Sequence, residues 1–276
     1  MYTSPAPQSA RSAVTVPMLL QMKRNRERIA TLTAYDASFA RAMDHAGIDA
    51  VLVGDSLGMV IKGGANTVSV GIDDMVYHSR CVAQGLQSAL LIADMPFQSY
   101  ATPERALDAA TALLSEGMAS MVKLEGAGFV LDAIAFLSER DIPVCAHLGL
   151  TPQSVLKLGG FKVQGRDEQA ALAIIEQAKQ VQRAGAQLLV LECLPSSLAK
   201  SVTETVGIPT IGIGAGPDCD GQILVSYDAL GINSGHRRPR FVKDFLAGNG
   251  SIDAAFAQYV RDVKSGEFPS LEHGYA

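Results

Sequence analysis

The sequence predicts a single-domain (β/α)8 barrel, and three observations carry that prediction. Short, almost wholly apolar runs recur along the chain, each followed by a stretch with helical spacing of its apolar residues. That is the pattern of parallel strands covered by helices. Eight such runs fit within 276 residues, which suits a closed barrel better than an open sheet. Three cycles also share one punctuation, a helix ending in glycine and then a strand ending in an acid. They run from Gly47 to Asp55, Gly117 to Glu125 and Gly185 to Glu192, with Gly85 to Asp94 as a looser fourth. Glycine stops a helix by taking a left-handed conformation. A doubly wound sheet is the alternative, but no GxGxxG follows the first strand to support its dinucleotide-binding version.

Residues 1–14 are rich in Ser, Ala and Pro and read as a flexible tail ahead of one barrel domain over 15–276. A strand over 29–35 and a helix over 38–45 open the cycle, followed by a strand over 50–54, a helix over 75–86 and a strand over 89–93. Pro103 stands in the first turn of a helix over 104–116, where its missing N–H has no partner to lose. A strand over 121–124 and a helix over 129–140 complete the first half. The second half continues with strand 143–147, helix 167–183, strand 188–191, helix 197–206 and strand 210–213. The last strand spans 222–225, and two C-terminal helices follow over 241–246 and 252–264.

A composition that is 48% hydrophobic and free of low-complexity runs marks an ordered globule. The net charge of -5 is spread along the chain, so nucleic acid is a poor partner. One short basic stretch, His236, Arg237, Arg238 and Arg240 around Pro239, reads as a solvated loop, a subunit contact or an anion contact. No apolar stretch is long enough to span a membrane. Gln21, Lys23, Arg24 and Arg26 break up the first apolar stretch, so no signal peptide is expected. The cysteines Cys81, Cys145, Cys193 and Cys219 lie far apart without CxxC spacing, which argues against a zinc knuckle and suits a reducing cytoplasm.

Asp55, Asp94, Glu125 and Glu192 each follow a buried apolar run, at the end of the barrel where catalytic groups of this architecture sit. Any one alone reads as readily as a helix cap or an ion-pair partner; four on four strands do not. Like charges packed together are costly unless a cation neutralises them or a proton is retained. Oxygen ligands without a Cys/His cluster point to Mg2+ or a similar hard divalent ion. Lys123 lies two residues before Glu125 on one strand, so both side chains point the same way. Flanked by Val122 and Leu124, it is either an interior cation or a lysine whose amine reaches outward along a buried stem. His147 ends the fifth strand as a site hydrogen-bond donor or a satisfied core residue, and Ser56 caps a helix or meets a ligand oxygen. The glycine run at 212–216 lets an anion or a large ligand approach the backbone, but no GK[ST] follows to make it a P-loop.

Nine stretches, in order, resemble signature segments of the ketopantoate hydroxymethyltransferase family, which belongs to the phosphoenolpyruvate/isocitrate-lyase type of barrel. They are TAYD at 33–36, VGDSLGM at 53–59, ADMPF at 93–97, VKLEG at 122–126, HLGLTPQS at 147–154, KVQGR at 162–166, LVLEC at 189–193, IGIGAG at 211–216 and DGQILV at 220–225. The resemblance covers about residues 15–270. It implies a Mg2+ site at Asp55, Asp94 and Glu125, the last two directly or through water. It also implies a keto acid held by Asp55, Ser56, Asp94 and Lys123, Glu192 as general base, and His147 beside the substrate. The reaction it implies removes a C3 proton from 3-methyl-2-oxobutanoate. The enolate then attacks the one-carbon unit of 5,10-methylenetetrahydrofolate, giving 2-dehydropantoate and tetrahydrofolate. The assembly it implies is a homo-oligomer, a decamer of two pentameric rings.

The residues suit that chemistry. A chelated metal would draw charge from the carbonyl, Lys123 would add a cation near the same oxygens, and Glu192 must lie within reach of C3. With a metal as electron sink, an imine at Lys123 is a minor alternative. One departure stands out: the family's Gly-His-Asp-Ser-Thr stretch reads here Gly63, Gly64, Ala65, Asn66, Thr67. It bears on loop closure, folate contact or turnover, and leaves the metal and base positions intact. The nearest rival is a lyase or phosphonate mutase of the same superfamily, but its KKCGH-type cysteine loop is absent. A non-catalytic barrel would have lost the acids at the strand ends.

Overall fold

The computed structural model describes residues 11–232 and 238–276. Eight parallel strands close on themselves in chain order as a (β/α)8 barrel. They are β1 Ile29–Thr33, β2 Ala50–Val53, β3 Leu90–Asp94, β4 Met121–Glu125, β5 Val144–Gly149, β6 Leu188–Glu192, β7 Thr210–Ile213 and β8 Gly221–Leu224. The β1–β8 pairing, with Ile29 opposite Gly221 and Leu32 opposite Leu224, completes the ring. The larger helices are α1 Val16–Asn25, α2 Ala37–His45, α4 Ile72–Ala83, α5 Pro103–Ser115, α6 Val130–Ser138, α8 Glu168–Arg183, α9 Ser196–Thr205 and α11 Ile252–Ser265. Three single-turn helices, α3 Leu57–Val60, α7 Val155–Leu158 and α10 Ser226–Ala229, follow β2, β5 and β8.

Local chemistry explains the starts of five helices. Asp36 accepts from the N–H groups of Ser38 and Phe39, Thr102 from Arg105, Asp167 from Ala170 and Ser251 from Ala254. α4 begins three residues earlier than the apolar spacing suggests, because Asp74 reaches back to the Gly71 N–H, 2.9 Å away. The glycine stops hold at Gly47 and Gly185, which have φ of 86° and 110°. At Gly117 the reason differs: Met118 takes the left-handed turn at φ 60°, while a Cβ on Gly117 would lie 2.6 Å from the Leu113 carbonyl.

The helix expected over 241–246 does not form. Asp244 Oδ1 instead accepts from the N–H groups of Leu246 and Ala247, and Phe245 N–H donates to the Ala229 carbonyl. Phe245 still buries its ring, packing edge-on against Tyr259 at 5.2 Å. Of the stretch expected as a tail, residues 1–10 lie outside the described residues. Arg11 donates to the Gly47 and Ile48 carbonyls and pairs with buried Asp49, and Val14 is buried. The basic stretch falls partly outside the described residues; within them, Arg238 pairs with Asp244 and Arg240 donates to the Glu272 carbonyl.

Strand residues alternate between two environments. Outward residues such as Val51, Val53, Leu91, Val122 and Leu124 join the layer beneath the helices. Inward residues fill the barrel, and at its N-terminal end Ile29, Leu90, Met121 and Leu188 meet Val14 and Leu19. α1, which the sequence reading did not anticipate, therefore plugs that end with Leu19, worth about 1.5–3 kcal/mol of burial. No described helix is long and apolar enough to cross a membrane.

Candidate active site

The inward alternation that is apolar at the strand starts turns ionic at their ends. On β3 it reads Leu90, Ile92, Asp94; on β4 Met121, Lys123, Glu125; on β6 Leu188, Val190, Glu192. Strand pairing sets Asp94 opposite Lys123 and Glu125 opposite His147. The barrel thus brings Asp94, Lys123, Glu125, His147 and Glu192 together at its C-terminal mouth, with Asp55 just beyond β2. All but Glu192 are buried, and the Glu192 side chain keeps 15% exposure.

The contacts form a chain across the mouth. Lys123 Nζ donates to Asp94 Oδ1 at 2.5 Å and lies 3.8 Å from Glu125 Oε1. Glu125 Oε1 lies 3.4 Å from His147 Nδ1, and His147 Nε2 lies 3.2 Å from Glu192 Oε2. The last two pairs are close enough to attract but poorly aligned, and neither ring nitrogen nor Glu125 Oε1 makes a hydrogen bond of good geometry. Asp94 Oδ2 accepts from the Asp55 N–H at 3.0 Å. Ser56 Oγ lies 2.8 Å from the Tyr35 hydroxyl, on the same side of the site.

Burial of so many charges moves their protonation. Burial pushes the Asp55 carboxyl well above the usual range, and the charges of Asp94 and Glu125 push it further. Asp94 is raised by burial against the opposing pull of Lys123. Burial also works against a charge on Lys123, but Asp94, Glu125 and Asp55 outweigh it and hold the amine protonated. Burial and Lys123 push the His147 imidazole down, yet Glu125 and Glu192 lift it to about 9. The site sets four carboxyl groups against one lysine and one histidine.

Glycines keep the mouth open and tightly folded. A Cβ on Gly54 would lie 2.7 Å from Ser56 Oγ, and one on Gly149, at φ 96°, would run into the Glu192 carbonyl. Cys193, directly after Glu192, takes a left-handed φ of 49°, unusual for a residue with a side chain. In the loop after β2, Gly64 N–H donates to the Gly58 carbonyl at 2.8 Å, and a Cβ on Gly64 would stand 2.8 Å from that oxygen. The loop as folded is too tight for a side chain at Gly64.

Three participants escaped the sequence reading. Gln153, Tyr100 and Tyr35 are buried and hydrogen-bonded to the candidate residues. Gln153 sits inside the HLGLTPQS stretch, a signal that marked the segment but not the side chain. The C-terminal end was missed too: Tyr275 pairs with Pro195, and its carbonyl accepts from Ser196 N–H at 2.9 Å, beside the strand end that carries Glu192.

Comparisons with known proteins show the family and the fold. A family model described as ketopantoate hydroxymethyltransferase matches residues 13–271. The chain is 59% identical to a 3-methyl-2-oxobutanoate hydroxymethyltransferase of Stenotrophomonas maltophilia over 262 residues, covering 95% of this chain and 96% of that one. It is 58% identical to the protein of the same name from Xylella fastidiosa strain M12, over 95% and 96% of the two chains. Among solved structures, it resembles 2,3-dimethylmalate lyase of the PEP mutase/isocitrate lyase superfamily, with a TM-score of 0.60 and 18% identity. The match covers 80% of this chain and 81% of that one, and it speaks to the fold alone.

Proposed function

The chain belongs to the ketopantoate hydroxymethyltransferase family, and from that premise we propose that it transfers a hydroxymethyl group from 5,10-methylenetetrahydrofolate to 3-methyl-2-oxobutanoate. The products are 2-dehydropantoate and tetrahydrofolate, and water supplies the hydroxyl oxygen. The observation that carries the assignment of roles is the chain of contacts Asp94–Lys123–Glu125–His147–Glu192 across one barrel mouth.

Mg2+ fits the donor set. Among the described residues no three His, Cys, Asp or Glu side chains form a ready-made cage. Mg2+ rarely needs one, since it keeps several waters and takes one or two carboxylates together with substrate oxygens. Glu125 Oε1 is buried without a hydrogen bond, 3.8 Å from Lys123 Nζ and 3.4 Å from His147 Nδ1, and is free to face a cation. Asp55, Asp94 and Glu125 would hold the ion, directly or through water. When bound, it supplies Lewis acidity to the keto acid's oxygens.

The chain's own groups do the rest. Lys123 presents a fixed positive charge toward the carbonyl oxygen as negative charge grows there. Ser56, held by the Tyr35 hydroxyl, donates to the carboxylate of the keto acid. Glu192, the least buried of the acids, takes the C3 proton. His147 Nε2 lies 3.2 Å from Glu192 Oε2 and sets a cationic ring beside the base. The enolate carbon then attacks the one-carbon unit of the folate, both C–N bonds to that carbon break, the nitrogens leave protonated as tetrahydrofolate, and water supplies the hydroxyl of the new hydroxymethyl group.

Proton exchange at C3 tests this reading. In D2O, NMR of 3-methyl-2-oxobutanoate with the protein and Mg2+ is expected to show loss of the C3 proton signal. Chelation of the metal and the Glu192→Gln substitution should each suppress that loss. No exchange with the folded wild-type protein, with metal and tetrahydrofolate both present, would sink the substrate assignment. The same reading includes a homo-oligomer, a decamer of two pentameric rings, to be measured by light scattering. It also includes residence in a reducing cytoplasm, in keeping with four unpaired cysteines.

A further inference from the structure

We propose that Gln153 and Tyr100 are positioning residues that lock Asp55 and Glu125 so that one oxygen of each faces the divalent cation; the inference rests on the metal reading above. Gln153 stands on the single 3-10 turn Pro152–Ser154 after β5 and touches both carboxylates at once. Its backbone N–H donates to Glu125 Oε2 at 3.0 Å. Its side-chain Nε2 donates to Asp55 Oδ2 at 2.9 Å and to the Met95 carbonyl at 2.9 Å. Its Oε1 accepts from the Tyr100 hydroxyl at 2.6 Å, and that hydroxyl oxygen in turn accepts from the Glu125 N–H at 3.3 Å.

The direction of every bond in this network is fixed by chemistry. The Met95 carbonyl can only accept, so the amide atom facing it is nitrogen. The backbone N–H of Glu125 can only donate, so the Tyr100 hydroxyl must send its own proton onward, and Gln153 Oε1 receives it. The amide is therefore pinned from both ends and cannot flip. Both residues are buried, with Gln153 at 6% and Tyr100 at 5% exposure, so water does not compete for these bonds.

The result is a sorting of carboxylate oxygens. Asp94 has a donor on each oxygen, Lys123 on Oδ1 and the Asp55 N–H on Oδ2. Gln153 occupies Asp55 Oδ2 and Glu125 Oε2. Glu125 Oε1 is left without a hydrogen bond, and no described residue donates to Asp55 Oδ1. On Asp55 and Glu125 those are the oxygens with no hydrogen bond for a cation to displace, and a single residue sets how the two carboxyl groups are turned toward each other.

Mn2+ titration followed by electron paramagnetic resonance, with no substrate present, tests the proposal. Gln153→Met keeps the length and apolar stem but removes the side-chain donor and acceptor. Tyr100→Phe removes one hydroxyl. The Mn2+ dissociation constant is expected to rise roughly 10- to 100-fold in Gln153→Met, the usual scale for a partner that orients a metal ligand, and less in Tyr100→Phe. Adding Tyr100→Phe to Gln153→Met should cost less than the two single losses combined, because the Tyr100 hydroxyl anchors the amide that touches both carboxylates; two residues that merely fill space would give additive losses. Affinity within twofold of wild type in both single variants, or additive losses in the double variant, overturns the inference. If Gln153→Met does not fold, Tyr100→Phe alone decides it. A wild-type protein that binds no Mn2+ overturns the metal reading itself, and with it this inference.

Discussion

The two ends of the barrel are built from the same strands and do opposite things. Three inward residues of β4 run from Met121 through Lys123 to Glu125, and the matching residues of β6 from Leu188 through Val190 to Glu192. Four residues of strand cover about 13 Å. Over that distance the interior passes from an apolar layer sealed by Leu19 to a layer of charges. At the lower end each residue gains by leaving water. At the upper end burial raises the Asp55 and Asp94 carboxyls, and the cluster is held by structure formed elsewhere. Function and stability are therefore separable along the barrel axis.

Substitutions can test that separation. The largest effect is expected from Glu192→Gln, which should slow C3 exchange by about 100- to 10,000-fold while thermal unfolding barely changes. A loss of folding instead would mean that the upper layer carries stability after all. Leu19→Ala at the lower end should cost about 2–5 kcal/mol in denaturant unfolding, with kcat per folded molecule unaltered. A fall in kcat with stability intact would erase the division. Mg2+ at a hundredfold excess over its dissociation constant should stabilise the wild type by about 2.7 kcal/mol, read as a shift in unfolding, and should not stabilise Glu125→Gln.

The smallest effect has an instructive sign. Burial first, and then Asp94 and Glu125, raise the Asp55 carboxyl, so the folded state holds that proton more tightly than the unfolded chain does. Stability of the metal-free protein should then fall as pH rises from the ordinary aspartate value of 3.8 toward the raised one. Asp55→Asn should remove that slope and make the metal-free protein more stable at neutral pH by on the order of 1 kcal/mol. A less stable variant would mean that the ionised carboxylate is already compensated within the protein.

Much of this was legible from periodicity. Apolar runs place the eight strands, because a strand buried on both faces has little latitude in composition. The acids at their ends stand out against those runs, so Asp94, Glu125 and Glu192 could be found before any coordinates. α1 was hidden: between Val16 and Asn25 its lower face is buried only by the barrel floor, and Lys23, Arg24 and the neighbouring polar residues dilute its pattern. The false helix at 241–246 arose from the opposite error, because Asp244 draws the backbone into a turn that apolar spacing does not reveal. Gln153 was invisible for a third reason. A neutral amide in a loop has no pattern of its own, and its importance lies in what it touches.

The plug at the lower end has a kinetic consequence. A barrel with one doorway makes its ligands queue: whatever binds against the floor enters first and departs last. If the keto acid sits among the acids and the folate above it, substrate addition is ordered and tetrahydrofolate must leave before 2-dehydropantoate. Product-inhibition patterns would read that order directly, with 2-dehydropantoate alone competing against the keto acid. Random addition would mean that the two ligands stand side by side rather than in line.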